Sequence, residues 1–243
     1  MYAIEVQNLS KDYKHLRAVD NISFAVQGGE IFGFLGPNGA GKTTTIRILT
    51  GQLRPTSGNA WVMGYDVVAE REMLKPQIGV VFEYQNLYQR LSARDNLNFA
   101  ANLYGVPKSR VDIVLEQIGL ADRAGDSLKK YSNGMKQRLL IGRALLHQPK
   151  VLFLDEPTRG LDPNVARGIR SLVADLASRG VTVFLTTHYM EEADQLCSRV
   201  AILDEGIIVA LDAPEGLKME YRLDDRTTLE DVFVRLTGHE LTV

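Results

Sequence analysis

Apolar and polar residues alternate near the start of the chain. Ile4, Val6 and Leu9 sit among polar neighbours, and the alternation returns through Val19-Asp20-Asn21-Ile22-Ser23-Phe24-Ala25-Val26. A period of two sends successive side chains to opposite faces, which predicts half-buried strands. The turn Gln27-Gly28-Gly29-Glu30 leads into Ile31-Phe32-Gly33-Phe34-Leu35. Such an unbroken apolar run predicts a strand covered on both faces, as in a parallel or mixed sheet. Short apolar runs predict further strands over 78–82, 151–154, 181–185, 200–203 and 207–211. Between 94 and 149 a helical period takes over, with Val111, Val114, Leu115 and Ile118 on one face and Leu139, Ala144 and Leu145 on another. This block interrupts the strands and predicts an inserted helical unit. Ile169, Leu172, Val173 and Leu176 predict a helix over 164–179. Near the end, Thr227-x-x-Glu230 predicts a capping box before Leu229, Val232, Phe233 and Leu236, with Gly238 as the stop. The fold class is α/β.

Composition narrows the functions. Hydrophobic residues make up 45% and charged residues 24% of the 243 positions, which excludes disordered and fibrous classes. Lys and Arg number 28 against 30 Asp and Glu, so no basic excess exists to neutralise a polyanion, and no nucleic-acid partner is expected. The single cysteine, Cys197, excludes an internal disulfide, and no paired Cys/His spacing suggests zinc. Apolar runs are strand-sized, well short of the ~20 residues of a membrane helix. The start Met1-Tyr2-Ala3-Ile4-Glu5 lacks the basic and apolar regions of a secretory signal, so an intracellular soluble protein is expected.

Gly36-Pro37-Asn38-Gly39-Ala40-Gly41-Lys42-Thr43 fits G-x-x-x-x-G-K-[ST] and lies between a predicted strand and a predicted helix that continues through Thr44. Glycines let the backbone curl so that successive N–H groups face phosphate oxygens, and the helix adds its positive N-terminal end. Lys42 is suited to neutralise β- and γ-phosphates, and the Thr43 hydroxyl to ligate Mg2+.

Val151-Leu152-Phe153-Leu154-Asp155-Glu156 places two carboxylates at the C-terminal end of a buried strand, the edge where open α/β sheets bind ligands. Asp155 suits a Mg2+ site, reached through water. Glu156 is suited to accept a proton from water attacking the γ-phosphate. Val183-Phe184-Leu185-Thr186-Thr187-His188 ends a second strand at the same edge, where the histidine suits a γ-phosphate or water-orienting role. His15, His147 and His239 have no such context.

Tyr131-Ser132-Asn133-Gly134-Met135-Lys136-Gln137-Arg138 lies shortly before Asp155-Glu156 and opens a predicted helix. It resembles the signature motif of ABC-transporter ATPase subunits, commonly Leu-Ser-Gly-Gly-Gln. Four more motifs follow the family's order over residues 1 to about 216. Tyr13 resembles the aromatic that stacks on adenine, with Ala18 and Val19 beside it, and Gly36 to Thr43 the phosphate loop. Asp155-Glu156 with Gly160-Leu161-Asp162 resembles the acidic strand end and its following loop, and His188 the switch histidine. Thr186-Thr187-His188-Tyr189-Met190-Glu191-Glu192-Ala193-Asp194 and Leu229-Glu230-Asp231-Val232-Phe233 are similar to exporter-group subunits of the ABC-2 or drug-resistance type.

The resemblance implies a P-loop NTPase core, a mixed sheet with flanking helices, carrying an N-terminal antiparallel β subdomain. An α-helical subdomain over about 84–147 is inserted in it, and 217–243 forms a tail with a short amphipathic helix. It implies an ATPase that energises a separate membrane permease, an exporter, from the cytoplasmic face of the membrane. Two subunits, as a homodimer or a heterodimer, would sandwich two ATP molecules head to tail. Ser132, Asn133, Gly134, Met135 and Asp162 of one subunit then contact the nucleotide held by Lys42 of the other, the Ser132 hydroxyl and an exposed Gly134 N–H forming an anion site. ATP is the substrate and Mg2+ the cofactor. The permease is expected on the helical block, where Tyr84, Leu87, Tyr88 and Leu91 suit either a groove for a partner helix or a cover for the block's own core.

Three positions depart from the family pattern. Glu83, followed by Tyr84 and Gln85, stands where Gln is usual after the 78–82 strand. Glu83 is the expected Mg2+ ligand, with Gln85 in a shifted loop as the alternative. Asn133 and Met135 replace Gly and Gln; Asn133 is expected to serve by tolerating left-handed backbone, whereas Met135 lacks the hydrogen bonds of Gln. Glu156 and His188 are both retained, so an active site is expected. The rival readings are a soluble ABC-type regulator of translation or DNA repair, and an ATP-binding scaffold without turnover. A single phosphate loop, no sustained heptads and the slightly acidic balance disfavour the regulator.

Overall fold

The computed structural model describes residues 2–83, 86–222, 224 and 226–238. The chain opens with β1 (Tyr2–Tyr13), β2 (Leu16–Gln27) and β3 (Ile31–Leu35), then α1 (Lys42–Leu49), β4 (Ser57–Val62), β5 (Tyr65–Asp66), α2 (Arg71–Leu74) and β6 (Ile78–Val81). Three helices follow: α3 (Ala93–Tyr104), α4 (Ser109–Gln117) and α5 (Asn133–Leu145). The second half runs through β7 (Val151–Asp155), α6 (Pro163–Ser178), β8 (Thr182–Thr187), α7 (Met190–Leu196), β9 (Arg199–Asp204) and β10 (Ile207–Asp212). It closes with α8 (Pro214–Glu220) and α9 (Leu229–Thr237).

Among the described residues the strands form two sheets. One is antiparallel, in the order β2-β1-β4-β5; the other runs β10-β9-β3-β8-β7-β6 and is parallel apart from the β9–β10 pair. Alternation along the chain does not predict β4, whose Ser57-Gly58-Asn59 start is polar. Its pairing with β1, Ile4 opposite Val62 and Val6 opposite Ala60, supplies what the pattern lacks.

The apolar runs of the central strands sort their residues to two layers. Phe32, Phe34, Phe153, Phe184, Ala201 and Leu203 pack toward the antiparallel sheet, where they meet Ile4, Val6, Val19 and Phe24. Leu35, Leu152, Leu154, Val183, Leu185, Val200 and Ile202 pack toward the helices. Strand register lines up Phe32, Phe184 and Phe153 across β3, β8 and β7. Their ring centroids lie 5.6 to 5.7 Å apart along this row, so three aromatic side chains pack in line on one face of the strands that carry the loops.

The tail helix begins one residue later than the Thr227–Glu230 spacing predicts. Thr228 is the cap: its hydroxyl accepts from Asp231 N (3.2 Å), and the Asp231 carboxylate accepts from Thr228 N (2.8 Å). Starting at Leu229 puts Leu229, Val232 and Phe233 on one buried face, and that burial selects the start. This face joins the same apolar core as Leu35 and Leu154, so α9 packs on its own domain. Gly238 closes the helix in left-handed conformation, as expected. No helix among the described residues is long and apolar enough to cross a membrane.

Candidate nucleotide site

β3, β8 and β7 are adjacent and parallel, so their C-terminal ends share one edge. Leu35 pairs with Thr187, and Asp155 with Thr186. The phosphate loop leaves β3, the two carboxylates end β7, and His188 follows β8. Gly41 precedes α1 at φ 103°, and a Cβ there would lie 2.3 Å from the Ala18 carbonyl oxygen. Only glycine fits this approach. Ala18 and Val19 therefore lie directly behind the loop. Val19 is fully buried, which makes it a support for the loop rather than a free face for a base.

Lys42 is 5% exposed. Its Nζ donates to the carbonyls of Gly36 (2.6 Å) and Pro37 (3.1 Å) and pairs with Glu156 Oε1 at 3.2 Å. Burial lowers the Lys42 pKa, opposed by the charge of Glu156. The other Glu156 oxygen meets His188 Nδ1 at 2.5 Å. Glu156 adopts φ 53°, a left-handed conformation that costs a glutamate energy. Its backbone N–H is held in place by the carbonyl and hydroxyl of Thr186, 3.1 Å to each. Lysine from the start of α1, glutamate from the end of β7 and histidine from just past β8 thus form one line of contacts, with Lys42 and Glu156 buried and His188 half-buried.

The expected metal ligands lie beside that line. Thr43 Oγ1 donates to Asp155 Oδ2 (2.9 Å), and Thr186 Oγ1 donates to Asp155 Oδ1 (2.6 Å). A hydroxyl and a carboxylate in contact offer the oxygen donors that Mg2+ takes. Among the described residues no cluster of three or more His, Cys, Asp or Glu is assembled for a metal. The residues fit an ion that draws its remaining ligands from phosphate and water. Glu83 forms an exposed ion pair with Arg159 (2.7 Å). Glu83, Asn133, Gln137, Glu156, Arg159, Gly160 and Leu161 line one cleft of about 370 Å³. Tyr84 and Gln85 lie outside the described residues. Neither Thr186 nor Arg159 is singled out by sequence. Thr186 is legible only once Asp155 is known to pair with it across the sheet.

Tyr13 stands at the end of β1, 40% exposed, with Lys11 Nζ 5.4 Å from its ring centroid, so its face is not consumed by the core. In the signature, Ser132 caps α5 and accepts from Met135 N (3.3 Å). Two expectations are corrected here. Asn133 is the first residue of α5 and is not left-handed, because the Ser132 cap starts the helix at once. Gly134 is buried rather than exposed, and a Cβ on it would lie 2.1 Å from Val165 Cγ1, so glycine serves the contact of α5 with α6. Met135 packs against the apolar core in place of the hydrogen bonds it lacks. Asp162 is exposed just ahead of α6. Among the described residues no hydrogen bond or ion pair joins Ser132, Asn133, Gly134 or Met135 to the phosphate loop.

The ABC transporter family model matches residues 19–159. The chain belongs to the ABC transporter ATP-binding family. A fluoroquinolones export ATP-binding protein of Mycobacterium tuberculosis is 41% identical over 93% of this chain and 89% of its own. A bacitracin transport ATP-binding protein of Bacillus licheniformis is 40% identical over 92% of this chain and 76% of its own. Among solved structures, an ATP-binding subunit of an ABC transporter superposes with a TM-score of 0.84 at 28% identity, over 96% of this chain and 99% of that one. A dimeric ATP-binding cassette in a post-hydrolysis state bound to ADP and Pi gives 0.77 at 26% identity, over 86% and 98%. This ABC protein is accordingly an ATPase with the expected fold, and ATP is its substrate.

Gly134→Ala is expected to force α5 from α6, with a cost of about 1–3 kcal/mol in urea denaturation. Val165→Ala, which removes the clashing methyl, should restore most of it in the double variant.

Proposed function

We propose that this ABC ATPase energises export by a separate membrane permease, working as a head-to-tail pair on the cytoplasmic face of the membrane. Support for export comes from the fluoroquinolones and bacitracin proteins it resembles. The observation that carries the hydrolytic reading is Glu156, held between Lys42 and His188 at the sheet edge. In this reading Lys42 releases Glu156 and the loop carbonyls when the γ-phosphate of ATP arrives. Glu156, freed from the ion pair, accepts a proton from the attacking water while His188 fixes its direction. The water oxygen bonds to the γ-phosphorus, the bond to the bridging oxygen breaks, and ADP leaves with that electron pair. Mg2+, held by Thr43, Asp155 and Glu83, would supply neutralisation of phosphate charge. Glu83 has to leave Arg159 to do so.

Tyr13 stacks on adenine, with Ala18 behind it. Gly36, Pro37, Asn38, Gly39, Ala40, Gly41, Lys42, Thr43 and Thr44 cradle the phosphates. Ser132, Asn133, Met135 and Asp162 serve the nucleotide of the partner, Gly134 keeping their helix in place. Residues 1–216 make up the ATPase unit and 84–147 its permease-facing part. A groove of about 790 Å³ favours this, lined in part by Leu87, Tyr88, Phe99, Leu103 and Tyr104. Tyr88, Phe99, Leu103 and Tyr104 are exposed, whereas Leu91 is not among the lining residues. Aromatic and aliphatic residues of this kind fit the apolar face of a partner helix.

Glu156→Gln should bind ATP, turn over very slowly and accumulate as an ATP-bound dimer in size-exclusion chromatography. Wild-type turnover would remove Glu156 as the base. Glu83→Gln keeps an oxygen ligand and should retain Mg2+-dependent ATPase activity; complete loss would contradict a tolerant ligand position. Tagged protein from native membranes should co-purify with a hydrophobic membrane subunit, and recovery with ribosomes or DNA instead would favour the regulator.

A further inference from the structure

Glu192, on α7, is 1% exposed, and neither of its carboxylate oxygens has a hydrogen-bond partner at normal geometry. Leaving such a group buried and unsatisfied is costly, so its position needs a reason. Favouring the N-terminus of α7 is not a sufficient one, because Glu191 occupies the same first turn in solvent. The surroundings of Glu192 are more telling. It shares a cavity of about 370 Å³ with Thr158, Arg170 and His188. Thr158 follows Glu156 by two residues, and Thr187 directly precedes His188; both threonines are buried.

We propose that Glu192 is a positioning residue for ATP hydrolysis: its carboxyl ties the turn at Thr158 to the strand end at Thr187, and so holds Glu156 and His188 in contact. The proposal rests on the roles given above to those two residues. Burial pushes the Glu192 pKa up and Glu156 adds to the effect, while Thr187, Thr158 and Arg170 act against it. A protonated carboxyl can donate through its O–H and accept through its carbonyl oxygen, which suits a bridge between two hydroxyls. Thr187 Oγ1 already accepts from Tyr189 N (3.0 Å), leaving its proton for Glu192. Thr187 and Thr158, the two hydroxyls that act against the rise in the Glu192 pKa, are the pair such a bridge would join. The contact it protects is short, since Glu156 and His188 meet at 2.5 Å, and a small shift of either loop would break it.

Steady-state ATPase kinetics on the purified full chain test this, with Glu192→Gln, Glu192→Leu and Glu156→Gln assayed in parallel. Gln keeps the bridging geometry and should hold kcat within about twofold of wild type. Leu fills the space without bridging and should lower kcat about tenfold or more, with the KM for ATP nearly unchanged. Removing a buried unpaired acid should leave the thermal midpoint equal or higher, which separates positioning from unfolding. Should the Leu variant not fold, Glu192→Asp, shorter by one methylene, takes its place with the same expected loss of kcat. A Leu or Asp variant with wild-type kcat, or a Gln variant as slow as Leu, overturns the proposal. If Glu156→Gln is inactive while Glu192→Leu is normal, only the positioning role fails; if Glu156→Gln is itself normal, the reading beneath it fails.

Discussion

Parallel pairing of β3, β8 and β7 brings Leu35, Thr187 and Asp155 to one edge of the sheet, and the chemistry of the molecule depends on that edge. The pairing is held by backbone hydrogen bonds and by the row of Phe32, Phe184 and Phe153 on one face. A slip of one residue in any of the three strands would send the phenylalanines to the helical layer. It would also carry Asp155 away from Thr186 and Thr43. Packing and catalysis are fixed by the same register, so the core is part of the active-site design.

At that edge the protein buries charge. Lys42 and Glu156 are both removed from water, and such a pair contributes little net stability once desolvation is counted. The arrangement makes more sense as a site prepared for an anion. Lys42 is surrounded by acceptors, Gly36 and Pro37 carbonyls and Glu156, each of which a phosphate oxygen can replace. Until then Glu156 is occupied on both oxygens, by Lys42 and by His188. Nucleotide arrival and release of the base are therefore one exchange of partners. The exposed Glu83–Arg159 pair is different in kind: solvent screening limits such a pair to at most about 1 kcal/mol, so it can open cheaply.

Much of this is legible in the chain. Lys42 and Thr43 announce themselves by their glycine spacing, and Asp155, Glu156 and His188 by ending apolar runs. Other parts are not. β4 is hidden because its apolar alternation appears only opposite β1. The start of α9 is decided by the burial of Leu229 rather than by the first Thr-x-x-Glu match. Gly134 looks like an anion-binding glycine in sequence, yet its neighbour across space, Val165, explains it. Thr186 and Glu192 lie inside the segment that carries the exporter resemblance without a role of their own there, and their importance comes from what they face.

Sequence by itself determined the family, the phosphate loop and the acids, because local backbone needs and strand periodicity are written in consecutive residues. Tertiary structure decided who pairs with whom. Lys42 and Glu156 are 114 positions apart, His188 stands 32 beyond Glu156, and Glu192 is buried by elements distant in the chain. Burial and pairing are properties of surfaces brought together, and no one-dimensional pattern specifies them.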